Sequence, residues 1–356
     1  MLVIGLMSGT SIDGVDAAAL ETDGKLRVEP GGALTIPYEP ALRERIRAVL
    51  GGVGNLEGAE RDLTEAHAKA VHALIRRYAL KNVALIGFHG HTVLHRPWEH
   101  ETRQIGDGAL LAKLTGIDVV NDFRSSDVAS GGQGAPLVPL YHQALAAGLE
   151  RPLAVINIGG VANVTWLGPG ADDILAFDTG PGNALLDDWA LTHTGKPVDE
   201  HGALARSGRV DEERVTRFLA DPYFAAPPPK SLDRDHFASL APEGLSPADG
   251  AATLCAMTAA AIALAPRHFP APVKRWLVSG GGRRNPVLMK LLRAKLGPVE
   301  PVEKAGWDGD ALEAQAFGYL AVRSREGLPL SLPRTTGVKA PTTGGTLHRA
   351  RPAVSA

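Results

Sequence analysis

The chain has 356 residues, with 37 Lys+Arg against 39 Asp+Glu and a formal net charge of −2. At roughly 150 residues per domain that length predicts two domains. The near-neutral balance excludes a broad electrostatic attraction to nucleic acid, so any anion is held by local geometry. The one cysteine, Cys255, excludes an intrachain disulfide and any cysteine-based zinc cluster. No basic segment precedes the first apolar residues, and Ser8-Gly9-Thr10 ends them early, so no signal peptide is expected. The longest apolar stretch, residues 254–265, falls short of the ~20 residues of a membrane span and predicts a buried helix. A soluble cytoplasmic α/β protein without a membrane partner is the expectation. Glycine makes up 41 of the 356 residues, well above the usual ~7%, so the positions of the glycines are informative.

Strand and helix signals alternate through the first 130 residues. Residues 2–6 read as a strand, followed by a Ser/Gly/Thr turn and a second strand at 15–20. Helical periodicity covers 40–50 and 57–80, where Leu63, Ala66, Ala70, Ala73 and Leu74 share a face. A buried strand follows at 83–88, a helix at 108–114 and a strand at 117–120. A second series begins after the Gly/Pro cluster at 131–139. It has strands at 153–158, 163–167 and 174–177, then a helix at 184–191. Residues 225–230 are a Pro-rich loop. Beyond it lie helices at 250–264, 286–296 and 313–324 and a strand at 276–279, with a Thr/Gly/Pro-rich tail from 333. Val3-Ile-Gly-Leu-Met-Ser-Gly-Thr and Val155-Ile-Asn-Ile-Gly-Gly-Val-Ala-Asn both read as strand, small-residue turn and returning strand. This weak repeat predicts two related α/β domains facing a cleft.

Three glycine turns at strand ends suggest a nucleotide cleft more strongly together than singly. In the first, from Gly5 to Asp16, small residues admit backbone N–H groups to an anion, and Ser8, Thr10 and Ser11 offer hydroxyls. Asp13 would repel a bare phosphate and fits there only through a cation such as Mg²⁺. The other reading is a tight hairpin whose glycines serve the turn alone. It is neither a Walker loop nor a dinucleotide fingerprint. The second turn, Asn157-Ile-Gly-Gly160, offers another nest or equally another hairpin. The third, Gly280-Gly-Gly282, leaves bare backbone for a planar ring, or is simply a flexible connection.

Asp178, in Phe177-Asp-Thr-Gly-Pro-Gly-Asn183, is the sharpest candidate for a general base, with Gly180 and Gly182 leaving room for a ligand. The competing role is a carboxylate serving the next helix's N-terminus. His89, His91 and His95 invite a zinc-hydrolase reading or line a pocket as loop histidines. Thr92 in the same loop is a substrate donor candidate. Arg124 is placed to neutralise an anionic group or to make an interdomain salt bridge. Glu313 faces a cleft or a solvated helix face.

In this order the segments resemble the anhydro-N-acetylmuramic acid kinase family. The resemblance runs through Gly5-Leu-Met-Ser-Gly-Thr-Ser-Ile-Asp-Gly-Val-Asp16, Gly90-His-Thr-Val93, Gln104-Ile-Gly-Asp107, Asp122-Phe-Arg124, Gly131-Gly-Gln-Gly-Ala-Pro-Leu-Val-Pro139, Asn157-Ile-Gly-Gly160, Asp178-Thr-Gly-Pro-Gly-Asn183 and Ser279-Gly-Gly-Gly282 with Asn285. It implies two ribonuclease-H-like domains of the actin/hexokinase/Hsp70 type around a central nucleotide cleft. The first would span 1–130, with the tail 336–356, and the second 131–335. The resemblance further implies that ATP phosphates are held by Gly9, Thr10, Ser11, Ile12, Asp13, Gly14, Val15 and Asp16 and by Gly159 and Gly160. Gly280, Gly281 and Gly282 would lie near adenosine, Asp13 would meet Mg²⁺ through its water shell, and Asp178 would be the catalytic base. Thr92, Arg124, Asp178 and Glu313 are the substrate candidates.

The implied reaction opens the 1,6-anhydro ring of an amino sugar with water and phosphorylates O6, giving N-acetylmuramic acid 6-phosphate and ADP in cell-wall recycling. A levoglucosan-type kinase, the zinc hydrolase and a slow nucleotide switch are the competing readings. A homodimer is expected, two-fold pairs being the commonest assemblies.

Overall fold

A computed structural model describes residues 1–9, 11–233, 236–240, 242 and 244–350. The chain divides into two units, Met1–Gly148 together with the stretch from Ala311 onward, and Leu149–Asp310.

In the first unit β1 (Leu2–Met7), β2 (Gly14–Thr22) and β3 (Val28–Pro37) form an antiparallel meander. β4 (Leu85–Phe88) adds in parallel to the other side of β1. The hairpin of β5 (His91–Arg96) and β6 (Glu101–Ile105) stands apart from that sheet, and β7 (Val119–Asn121) returns to pair in parallel with β4. A late strand, Thr346–His348, closes the sheet antiparallel to β7. The tail is therefore ordered to that point. Buried on every residue, β4 shows the unbroken apolar run of a strand covered on both faces.

Two helices illustrate how that covering is built. Leu56–Tyr78 starts where the Asn55 side chain accepts from Gly58 N–H at 3.1 Å, and it buries Leu63, Val71 and Leu74. Leu312–Arg325 lies against β1, β2 and β4. A Cβ at Gly5 would sit 1.7 Å from the Ala314 carbonyl oxygen, and one at Gly87 2.0 Å from that of Phe317. Only glycine lets the helix seat that close to the sheet.

The second unit repeats the pattern. β8 (Leu153–Ile158), β9 (Val161–Leu167) and β10 (Ile174–Pro181) form an antiparallel meander, and β11 (Arg275–Ser279) and β12 (Val299–Pro301) extend it in parallel beyond β8. Strand order is β7-β4-β1-β2-β3 in one unit and β10-β9-β8-β11-β12 in the other. Three antiparallel strands and two parallel ones in the same sequence define the ribonuclease-H-like topology, present twice. The predicted repeat is thus a repeat of fold. Helix Pro286–Leu296 is started by Asn285, whose side chain accepts from Val287 and Leu288 N–H.

Helix Pro247–Ile262 is buried from Gly250 onward among Trp189, Phe218, Phe224 and Phe237. With the following turn, Pro247–His268 is long and apolar enough to cross a membrane by length and composition, and 78% of its most apolar window is buried inside the protein. It is the core helix expected from residues 254–265, extended at both ends.

The domain boundaries differ from the expected 130/131 and 335/336. Residues 131–148 stay with the first unit because helix Pro139–Leu145 carries Tyr141, whose hydroxyl donates to Gln315 Oε1 at 2.9 Å and whose ring meets Tyr319. Residues 311–335 join it through the helix seated on β1 and β4.

Candidate active site

In the first unit the turn after β1 is anchored from beneath. Ser8 is buried, accepts the Tyr38 hydroxyl at 2.8 Å and contacts His91 Nδ1 at 3.0 Å. Burial holds the His91 pKa down at about 4, so the ring stays neutral. Above this anchor Ser11 donates to Asp13 Oδ1 at 2.8 Å, and the Asp13 carboxylate is exposed.

The predicted phosphate-turn residues separate by role. Ile12 and Val15 bury their side chains, leaving only backbone to offer. Ile12 does so at φ 52°, an uncommon conformation for a β-branched residue. Gly14 is a packing glycine, since a Cβ there would lie 2.4 Å from the Ile36 carbonyl oxygen. Asp16 accepts from the Thr35 hydroxyl across the β2–β3 ladder at 2.6 Å. At Gly9 a Cβ would meet nothing nearer than Ser11 Oγ at 3.8 Å, so packing does not demand glycine there. Thr10 lies outside the described residues.

In the second unit three predicted segments converge on the end of β8. Gly182 and Asn183 N–H donate to the Gly160 and Gly159 carbonyls at 2.8 and 2.7 Å, and Asn183 Nδ2 donates to Ile158 O at 3.0 Å. A Cβ at Gly182 would come within 2.2 Å of Gly159 O, and one at Gly280 within 2.6 Å of Ile158 O. Gly282 is likewise filled, by the Ile158 side chain. Against these, a Cβ at Gly159 or Gly281 would make only ordinary van der Waals contact, with the nearest atoms at 3.7 and 3.6 Å. Each of the three glycine turns therefore has one glycine whose bare face no packing explains, which is the cradle a phosphate or a ring requires.

Asp178 ends the regular part of β10, where the ladder to β9 slips between Asp178 and Gly180. It is 6% exposed. Its Oδ2 accepts from Leu232 N–H at 2.8 Å, its N–H donates to Lys230 O at 3.0 Å, and its carbonyl accepts the Tyr223 hydroxyl at 2.6 Å. None of these partners is singled out by the sequence, because Tyr223 lies on the four-residue helix Pro222–Ala225 and Lys230 and Leu232 at the end of and just beyond the Pro-rich loop, segments too short or irregular to show periodicity.

The remaining candidates lie in the first unit. Thr92, on β5, accepts from Gln104 Nε2 at 3.2 Å. Arg124 donates from Nε to His89 Nε2 at 3.1 Å and from Nη1 to Gly134 O at 2.7 Å. That fixes the His89 proton on Nδ1, which donates to Gly90 O at 2.9 Å. Burial, and then the Arg124 charge, push the His89 pKa well below the ordinary range. Both of these partners, His89 and Gly134, belong to the unit that carries Arg124. Behind it Asp127, also missed from sequence, accepts from Gly134 N–H at 2.6 Å and from the Thr336 hydroxyl at 2.5 Å. Glu313, half-buried, opens helix Leu312–Arg325.

The zinc reading lacks a ligand cluster: no group of three or more His, Cys, Asp or Glu among the described residues is arranged to hold a metal, and His89 Nε2 is taken by Arg124. Mg²⁺ held through water needs less, a single outward carboxylate beside a phosphate turn, and Asp13 meets that requirement.

A family model described as anhydro-N-acetylmuramic acid kinase matches residues 1–350. A protein of that name from Paramagnetospirillum magneticum is 60% identical over 98% of this chain and 99% of its own length. Another from Rhodospirillum rubrum is 57% identical over 96% of this chain and 93% of its own. Among solved structures, component A of the Acidaminococcus fermentans (R)-2-hydroxyglutaryl-CoA dehydratase is similar over 90% of this chain and 99% of that one, at 16% identity and a TM-score of 0.48.

Proposed function

This chain belongs to the anhydro-N-acetylmuramic acid kinase family, and from that premise we propose that Asp178 is the base that opens the anhydro ring while the glycine turns hold ATP. The chain is an ATP-dependent kinase of an anhydro amino sugar, acting in cell-wall recycling. Levoglucosan is set aside as the principal substrate by the name that relatives at 52–60% identity share.

In the substrate the 1,6-anhydro bridge ties up both C1 and O6, so no 6-hydroxyl is free to attack ATP. Asp178 takes a proton from water as its oxygen bonds to C1 on the face opposite the bridge. The C1–O6 bond breaks, its electron pair stays on O6, and O6 takes the γ-phosphoryl group as ADP departs. The proton on Asp178 then passes to solvent. This is the logic of an inverting glycosidase, with phosphoryl transfer in place of proton donation to the leaving oxygen.

One observation carries the assignment of Asp178. It is a nearly buried carboxylate whose backbone and one oxygen are fixed, at the slip in β10 just before Gly180. Fixed aim and exclusion of bulk water are what a base acting on one water molecule needs.

Gly9, Ser11 and Asp13, with Gly159 and Gly160, are assigned to the ATP phosphates, and Gly280–Gly282 to the adenosine. Mg²⁺, held through water by Asp13, supplies charge neutralisation on the phosphates. Thr92, Arg124 and Glu313 are assigned to the sugar. Arg124 suits the lactyl carboxylate, since its always-charged planar fork is aimed by bonds to His89 and Gly134. The reaction is placed in the cytoplasm, the compartment that supplies ATP.

The deciding measurement is ADP release with 1,6-anhydro-N-acetylmuramic acid, with levoglucosan and with no sugar, recording the product mass. Release with the muramic substrate alone, and a product heavier by phosphate and water, is the expected outcome. A product heavier by phosphate alone would remove water, and with it the role of Asp178, from the reaction.

A further inference from the structure

The segment from Tyr223 to Leu232 makes three bonds to one residue, and that residue is Asp178. The regular β10–β9 ladder positions Phe177 against Val164 and Asp178 against Asn163, then slips before Gly180. The ladder resumes at Gly180 and Pro181, so the irregularity falls immediately after the residue whose aim matters most. The loop bonds that residue: the Lys230 carbonyl holds the Asp178 N–H, the Leu232 N–H holds Oδ2, and the Tyr223 hydroxyl holds the Asp178 carbonyl at 2.6 Å.

Tyr223 is itself held in place. Its N–H donates to Asp221 Oδ1 at 2.8 Å, and its carbonyl accepts from Lys230 Nζ at 2.9 Å. The same ammonium lies 4.5 Å from the Tyr223 ring centroid and 5.9 Å from that of Phe177. One lysine thus ties both ends of the loop to the residue before Asp178. Burial raises the Tyr223 phenol pKa, so the hydroxyl stays a donor throughout the working range.

We propose that Tyr223 is a positioning residue for the reaction, its hydroxyl fixing the Asp178 backbone at the slip in β10 so that the carboxylate points at the attacking water, with Lys230 holding Tyr223 in register. This rests on the reading of Asp178 as the base. Tyr223 itself touches no reacting atom.

The test is steady-state kinetics of Tyr223→Phe, which keeps the ring and its contact with Lys230 but deletes the donor. A carboxylate free to swing loses near-attack geometry, so kcat falls by about 10- to 100-fold, while KM for sugar and ATP stays within about twofold. Lys230→Met lowers kcat in the same direction and by less. It serves as the second variant should Tyr223→Phe fold poorly by thermal melting. In an Asp178→Glu background, where the carboxylate has already left its bracket, removing the Tyr223 hydroxyl costs no more than about twofold further. A merely structural role would lower activity equally in both backgrounds.

Wild-type kcat in Tyr223→Phe, or an undiminished loss in the Asp178→Glu background, overturns the proposal. Asp178→Asn, run alongside, separates the two claims. Wild-type turnover in that variant defeats the reading of Asp178, whereas an inactive Asp178→Asn beside a fully active Tyr223→Phe defeats only the role given to Tyr223.

Discussion

The same hairpin stands at the head of both units, and the two have been finished differently. Between β1 and β2 six residues intervene, with a buried serine beneath and an exposed carboxylate, Asp13, above. Between β8 and β9 the turn is Gly159-Gly160 alone, which has no side chain to offer. In the proposed function, identical topology serves two kinds of anion contact: one fitted with a hydroxyl and a carboxylate that tolerates phosphate only beside a cation, the other bare backbone dipole.

That contrast can be broken in order of expected effect. Asp178→Asn, in the second unit, removes the base and should cut turnover by about 10³-fold or more while ATP affinity holds. Isothermal titration with a non-hydrolysable nucleotide, beside the turnover assay, checks both halves. Asp13→Asn, in the first unit, should lower kcat/KM by on the order of 100-fold and raise the Mg²⁺ concentration for half-maximal rate. An unchanged Mg²⁺ titration would take the cation away from the first turn. Gly159→Ala should raise KM for ATP about tenfold with little change in melting temperature, because a Cβ there makes only ordinary contact. Gly14→Ala should do the reverse, losing stability against the Ile36 carbonyl. Equal melting temperatures for the two variants would erase the distinction between ligand-facing and packing glycines.

The smallest effect concerns acid. The first unit buries His67 and His91, with pKa values lowered to about 4, and His142, lowered to about 3, each by desolvation. Between the ordinary 6.5 and those values the unfolded chain binds protons that the folded unit does not, so stability falls as pH falls through that window. The second unit's His268 is lowered as well but is only half-buried. Hydrogen exchange at pH 7 and pH 4.5 should therefore show β1 and β4 losing protection before β8 and β11. Equal loss in both sheets would place the acid sensitivity elsewhere.

Much of this was readable in the amino acids, for identifiable reasons. Each apolar strand with a glycine turn, and each helix with a clear start signal, stands close to where periodicity puts it. Helix 286–296, announced by Asn285-Pro286, matches to the residue. β3 was not legible, because Val-Glu-Pro-Gly-Gly at its start reads as turn. It is an edge strand, where a proline costs no interior ladder bond. The β5–β6 hairpin hid behind its histidines, which drew a metal reading although His95 bonds Thr102 across the hairpin and His91 contacts Ser8. The candidate site was half visible. Glycines and Asp178 announce themselves by type; Ser8, read as a hydroxyl for an anion, is instead buried against Tyr38 and His91, and Tyr38, Asp127 and Tyr223 act through pairings that no local pattern encodes.

Chain order adds one more consequence. The second unit is one uninterrupted stretch, residues 149–310, whereas the first needs residues 311–348 to gain the helix over β1 and β4 and the strand beside β7. On a ribosome, where domains fold as units as they emerge, the inserted unit has every strand it needs while the earlier-made sheet still waits for its cover. The glycines at positions 5 and 87 that admit that cover leave a thin, apolar face until it arrives. A chain without residues 311–348 therefore keeps every strand of the second sheet while β1 and β4 lack their covering helix.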